Sequence, residues 1–422
     1  MTDNSTTPSQ SLFVQLEINL DEVPIEHLSN YAAVEYFLTV EDEPDSDATN
    51  LEKVNRYLEA FHHLCEAKDW EKASKIILFR LNTPTQEELH AQLKTWGYYR
   101  QQLELCSRLL NKLDNSLDVI CLKDIGEAYF FLANYRQALN CQQQHLEIAQ
   151  KINNQLEQAI ALNNLGLTCY YLGNVERSID YYQQAINISE KLNNCKLEAT
   201  VLVCLSDIHN IHGKYQQAIE CSQKSLNIAQ KIGFIKIQIK ALMFLGDTYL
   251  YIGNHQQALE YYRKSLTIAQ EIDNFPAKGI LLGRIGNIFN LQGKYEEATS
   301  YNEESLNIAR KTGDLSQSLV ALNNLGNVYS TFKDYYKAIE YHQKSLAIGY
   351  KIQYKIGQGT SLYGLGNIFL QLDRDIEAEK YLQEALIIFQ QIGYRFGEAQ
   401  TLHDLAQLHK KLGEAGERKK MG

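Results

Sequence analysis

The sequence predicts an all-α chain, a right-handed superhelical solenoid of antiparallel helix pairs. Three observations predict it. First, the stretch Ala321–Leu346, ALNNLGNVYSTFKDYYKAIEYHQKSL, returns at Ala161, Ala241 and Leu281, each time at an offset that is a multiple of 40. A fixed period of roughly 20–50 residues marks stacked repeats. Second, a small residue recurs at Gly126, Gly166, Ser206, Gly246, Gly286, Gly326, Gly366 and Ala406, and another at Ala138, Ser178, Ala218, Ala258, Ala298, Ala338 and Ala378. Close helix crossings need such residues, because larger ones overfill the gap. Third, apolar residues within each half-unit fall three and four apart, as in Leu162, Leu165, Cys169 and Leu172. That is a helical period.

The elements follow in order. Residues 1–50 form an acidic head, expected to be partly disordered over 1–11. Residues 12–20, LFVQLEINL, alternate strictly between apolar and polar, which predicts a strand. A helix is expected over 25–39, and an acidic linker with Pro44 over 41–47. Residues 51–114 contain two degenerate units, such as KDWEKASKIILFRL, that cap the stack. Seven regular units of 40 residues occupy 115–393. Their turns carry Asn153-Asn154, Asn193-Asn194, Gly233, Asp273-Asn274, Gly313-Asp314 and Gly393, residue types that end one helix and start the next. Pro276, two residues after Asn274, suits a first helical turn. A polar capping helix is expected over 394–412, then a tail over 413–422.

Composition narrows the function classes. No apolar run reaches the 18 or so residues of a membrane span, and MTDNSTTPSQ lacks the basic and apolar regions of a secretory signal. The eight cysteines show no C-x-x-C pair and no metal-ligand spacing. Cys141, Cys169 and Cys221 stand in columns that hold Tyr or Phe in other units, so they read as apolar filler in a reducing, cytoplasmic setting. Net charge is −10, and residues 1–50 hold eleven acids with no Lys or Arg. The body is therefore nearly neutral. No basic stripe argues for nucleic acid.

LGNVYSTFKDYYKAIEYHQKSL resembles the tetratricopeptide repeat, in its lengthened 40-residue form. Such long units are similar to those of Pins-type adaptors, kinesin light chains and the sensor arrays of bacterial nucleotide-switch ATPases. The switch domain of the last group is not in this sequence, which has no G-x-x-x-x-G-K-[ST]. The resemblance implies that the first helix of each unit lines a concave groove and that the residue after the small column faces it. Those residues are Glu127, Leu167, Asp207, Asp247, Asn287, Asn327, Asn367 and Gln407, with Asn210, Asn290 and Ser330 a turn further on. Amides offer both a donor and an acceptor, and a ladder of them can bond an extended peptide; they can equally form a solvated face. Lys240 and Arg284 are the groove's main basic residues, and Tyr170, Tyr171, Tyr251, Tyr363 and Phe130 are expected on or near the inner face. Some relatives clamp a C-terminal carboxylate with Lys and Asn; here Lys123 is followed by Glu127, so that clamp is not reproduced.

No residues form a catalytic constellation. His209 with His212, and His403 with His409, lack a third ligand at a recognisable spacing, and no cofactor is expected. The expected function is a non-catalytic, cytoplasmic scaffold or adaptor holding a peptide or helix of another protein in its groove. The alternative is a regulatory sensor whose superhelix responds to a small peptide or ligand. The acidic head could fold back onto the groove near Lys240 and Arg284.

Overall fold

The computed structural model describes residues 7–40 and 48–421. The head and N-terminal cap comprise α1 (Pro8–Gln15), α2 (Ile25–Thr39), α3 (Asn50–Glu66), α4 (Trp70–Ile77), α5 (Leu89–Trp96) and α6 (Tyr99–Leu109). Seven antiparallel pairs follow: α7 (Asn115–Phe131) with α8 (Tyr135–Lys151), α9 (Gln155–Tyr171) with α10 (Val175–Lys191), and α11 (Cys195–Ile211) with α12 (Tyr215–Lys231). Next come α13 (Ile235–Tyr251) with α14 (His255–Glu271) and α15 (Phe275–Leu291) with α16 (Tyr295–Thr312). The last two are α17 (Leu315–Thr331) with α18 (Tyr335–Ile352) and α19 (Lys355–Gln371) with α20 (Asp375–Ile392), and α21 (Arg395–Met421) closes the stack. The whole is a right-handed superhelix. Among the described residues the only extended pairing is an isolated bridge, Arg80 to Glu88.

The regularity comes from the turns. A residue with left-handed backbone stands every 20 residues, from Ala133 and Asn153 through Gly213 and Gly293 to Asp373 and Gly393. Left-handed residues end a helix by letting amides past its end bond back to its last carbonyls; Asn134 N–H, for example, donates to Tyr129 O at 2.8 Å. Several of the helices that follow are then capped by a side chain. Asn194 Oδ1 accepts from Leu197 N–H at 3.0 Å, and Asp314 Oδ1 from Gln317 N–H at 2.8 Å.

The small columns are close-approach positions. A Cβ placed on Gly166 would lie 2.9 Å from the Tyr182 ring, on Gly326 2.7 Å from the His342 ring, and on Gly366 2.8 Å from Leu382. In each case the second helix of the pair lays a large side chain on the first. Ala298 is fully buried in the core. Ala298→Leu is expected to destabilise the fold by about 1–3 kcal/mol, read as a lower thermal midpoint; an unchanged midpoint would remove this column from the core.

Three expectations at the ends are corrected. Residues 12–20 are not a strand: α1 runs to Gln15, started by Pro8 and by a capping box between Thr7 and Gln10. Leu12 and Leu16, four apart, are buried on one helix face, so the helical period wins where no sheet edge exists. Residues 7–11, expected to be disordered, are this cap and first turn; residues 1–6 and the expected linker at 41–47 lie outside the described residues. The last helix does not stop at 412 but continues to Met421. The described head packs on the N-terminal cap and not in the groove: Tyr31 Oη donates to Asp69 at 2.6 Å, and Arg56 to Ser9 Oγ at 3.1 Å.

One feature of the fold has no counterpart in any single repeat. Contacts recur between residues about 180 positions apart. Tyr135 Oη donates to Ser316 Oγ at 3.3 Å, and the Tyr171 and Tyr354 rings stack at 5.0 Å. Cβ atoms built on Gly313 and Gly393 would meet Leu132 at 3.5 Å and His212 at 3.0 Å. Each contact joins a turn inside one pair to a turn between pairs four to five units later. The superhelix therefore closes on itself, one turn of the solenoid resting edge-on against the next.

Candidate functional site

Closure converts the groove into an internal channel with two adjoining chambers. One, of about 340 Å³, is lined by Asp207, Asp247, Tyr251, Arg284 and Asn287 from the first helices of three successive pairs. Tyr170 and Tyr171 come from the pair before, and Asp314, Gln317, Asn324, Tyr354 and Tyr394 from the overlying turn. The other, of about 290 Å³, is more apolar and carries Lys94, Glu127, Leu167, Lys236 and Lys240. Phe130, Phe131, Met243 and Ile280 line both chambers. A larger recess of about 520 Å³ lies between residues 80–91 and the turn at 232–236. Its Lys236, which also lines the second chamber, is held by Glu87 at 2.5 Å.

Charge in the first chamber is organised by one pair. Arg284 Nε and Nη2 donate to the two carboxylate oxygens of Asp247 at 2.5 and 2.8 Å, and Tyr262 Oη donates to the same carboxylate at 2.7 Å. Burial opposes the guanidinium charge, but Asp247 more than restores it and raises the Arg284 pKa. Asp207 has no such partner. Burial, and then the negative charge of Asp247, push its pKa up to about 7, against a downward pull from Arg284. The Tyr170 hydroxyl is buried and makes no hydrogen bond. Burial lifts the phenols of Tyr170, Tyr171, Tyr251 and Tyr354 well above the usual range, so the chamber is walled by neutral aromatic groups.

The second chamber joins a buried ionic network. Lys94 pairs with Glu127, whose other oxygen accepts from Asn164 Nδ2 at 3.4 Å. Burial and the neighbouring Lys94 lower the Lys236 pKa to about 8. Behind them, His90 bridges Asp124 and Glu88, and the two carboxylates overcome burial to raise its pKa to about 9. These groups fasten the N-terminal cap to the first regular pair.

Five of the expected groove residues share the first chamber: Asp207, Asp247, Tyr251, Arg284 and Asn287. Lys240 lies in the second. Arg284 is committed to Asp247 and is not a free positive site. Asn210 is buried and accepts from Thr248 Oγ1 at 2.8 Å, bonding two inner helices. Asn290 and Asn367 are half-buried and Asn327 is exposed; these three line neither chamber. Tyr363 donates to Asp404 at 2.9 Å, away from the channel. The residues that the sequence reading missed, Tyr354 and Tyr394 foremost, arrive across the closure. A signal existed. Both stand at the start of a first helix, where the equivalent positions 154, 194, 274 and 314 hold Asn or Asp caps.

Among the described residues no group of three His, Cys, Asp or Glu side chains is placed to hold a metal ion, and no helix is long and apolar enough to cross a membrane.

The fold and channel define a closed helical-repeat protein with an interior space. The sequence model of the tetratricopeptide repeat matches residues 118–191, 197–271, 279–351 and 358–417, and the chain belongs to that family. No curated protein matches significantly. Among solved structures, the chain is similar to the Rap conjugation gene regulator of the plasmid pLS20 in complex with the Phr* peptide. The two are 18% identical over 82% of this chain and 97% of the other, with a TM-score of 0.56. It is also similar to NprR in complex with its cognate peptide NprX, at 14% identity over 87% and 100% of the two chains and a TM-score of 0.51. A signal transduction ATPase with a tetratricopeptide repeat sensor, from Pyrococcus horikoshii, matches 98% of this chain and 74% of its own. Its identity is 15% and its TM-score 0.46.

Proposed function

We propose that this chain is a non-catalytic, cytoplasmic binding module that holds a short extended peptide, or an extended segment of a partner protein, in its internal channel. The observation that carries this reading is the set of chamber groups left without partners. Asp207 and the Tyr170 hydroxyl make no hydrogen bond, and the Asn287 amide faces the same space. Aromatic walls with a few polar groups are the usual make-up of a small-ligand site. Two chains of similar fold are complexes with peptides, which supports a peptide as occupant. Eight unpaired thiols suit a reducing compartment.

The test is to pan a randomised library of short peptides against the full chain and to measure affinities of the selected sequences. Asn287→Ala and Lys240→Ala, one in each chamber, are expected to weaken them by roughly tenfold or more, about 1.4 kcal/mol each. Peptides that bind both variants as tightly as the parent would move the site out of the channel.

A second reading is favoured by the closure itself. Tyr171 and Tyr354 both line the first chamber and also join successive turns. A ligand there contacts both sides of the seam, so occupancy would bias the superhelix between compact and open forms and control a partner, as a regulatory sensor does. A radius of gyration that changes when a selected peptide saturates the chain supports this reading; an identical scattering profile removes it.

A further inference from the structure

The edge of the solenoid that carries the turns inside each pair is covered in the early units and bare in the late ones. Leu132 lies against Gly313, and His212 against Gly393. One, three and four units further on, the positions equivalent to His212 are Ile252, Phe332 and Leu372. Ile252 is 51% exposed and Phe332 65%. Beside them, Tyr336 is 83% and Ile376 84% exposed. On the opposite edge the aliphatic column shows the reverse contrast. Ile352 and Ile392 are buried, whereas Leu192 and Ile232 are exposed.

We propose that the bare edge from Ile252 to Ile376 is a docking surface for a second copy of this chain, related by a two-fold axis perpendicular to the superhelix. Its continuity with the seam inside the chain argues for an occupant of the same kind. The same turn positions that are solvated here are packed under helical-repeat backbone in the earlier units. Symmetry argues for the two-fold. A perpendicular two-fold carries a helical ramp onto one of the same hand, so two such edges meet along their whole length, and isologous pairs are the commonest oligomers. Size is adequate. Four units at about 10 Å each, and a wall two helices thick, make a face on the order of 800 Å² per partner, the extent of a specific interface.

Sedimentation velocity of the full chain over a wide concentration range tests this. The expected result is a reversible monomer–dimer equilibrium. The double substitution Phe332→Asp and Tyr336→Asp should weaken it by about tenfold or more, with unchanged helical content. Leu192→Asp with Ile232→Asp, on the other edge, should leave it intact. A wild type that stays monomeric throughout overturns the proposal, as does undiminished dimerisation of the Phe332/Tyr336 variant. If both variants are monomeric alone but pair when mixed, the contact is head-to-tail and the two-fold is wrong.

Discussion

Asp207→Asn is expected to raise the thermal midpoint at pH 8 and to leave it nearly unchanged near pH 4. The folded-state pKa of Asp207 lies near 7, raised first by burial and then by Asp247; in the unfolded chain an aspartate titrates near 3.9. Between those values the folded chain holds a proton that the unfolded chain has released. Stability therefore falls as pH rises from about 4 to 7, and this contribution is flat above 7. Asparagine carries no charge at either pH and removes the penalty. The gain at pH 8 should be on the order of 2–4 kcal/mol, the upper figure being the full linkage and the lower allowing for partial solvent contact. The charged groups entering the balance are Asp247 and Arg284, since the surrounding tyrosines stay neutral across this range. Melting curves at both pH values check the sign. Equal gains at pH 4 and pH 8 would show that Asp207 is already ionised at pH 4, and that the chamber is wetter than its lining suggests.

Tyr354→Ala should both destabilise the chain and expand it. Tyr354 is buried, stacks on Tyr171 at 5.0 Å with rings 18° apart, and shares a cluster with Phe130 and Tyr135. Truncating a buried aromatic typically costs about 3–5 kcal/mol. Here the loss falls on the seam between superhelical turns, which no local helix pairing replaces. Tyr341→Ala is the control. Tyr341 stacks on Tyr329 at 5.4 Å within a single pair, so its removal should lower the midpoint while the radius of gyration holds. Scattering and melting of the two variants separate the effects. If Tyr354→Ala melts earlier but stays compact, the seam is held by the Tyr135–Ser316 and His212–Gly393 contacts and the tyrosine pair only fills space.

Much of the architecture was legible in the residues. The period of 40, the small columns and the Asn, Asp and Gly turns each act within one or two helices, and local physics repeated seven times is hard to misread. The ends were less legible because they are written once. LFVQLEINL alternates like a strand, yet Thr7 and Pro8, upstream of it, start a helix. Of the groove residues, Asp207, Asp247 and Asn287 could be picked out because adjacent repeats carry them in one column. Asn327 and Asn367 share that column, but they line neither chamber.

The sequence by itself determined that the regular part of this protein is a stack of helix pairs repeating every 40 residues, where one unit ends and the next begins, and which small residues let neighbouring helices approach. Only the tertiary structure decided that the stack closes after four to five units, that Tyr354 and Tyr394 roof a chamber floored by Asp207 and Arg284, and that Arg284 is already neutralised. The reason is cumulative. Each unit is rotated slightly on the last by the sizes of the side chains between them, and the pitch is the sum of those small rotations. No single window of sequence contains that sum, so contacts made some 180 residues away emerge only when the whole superhelix is built.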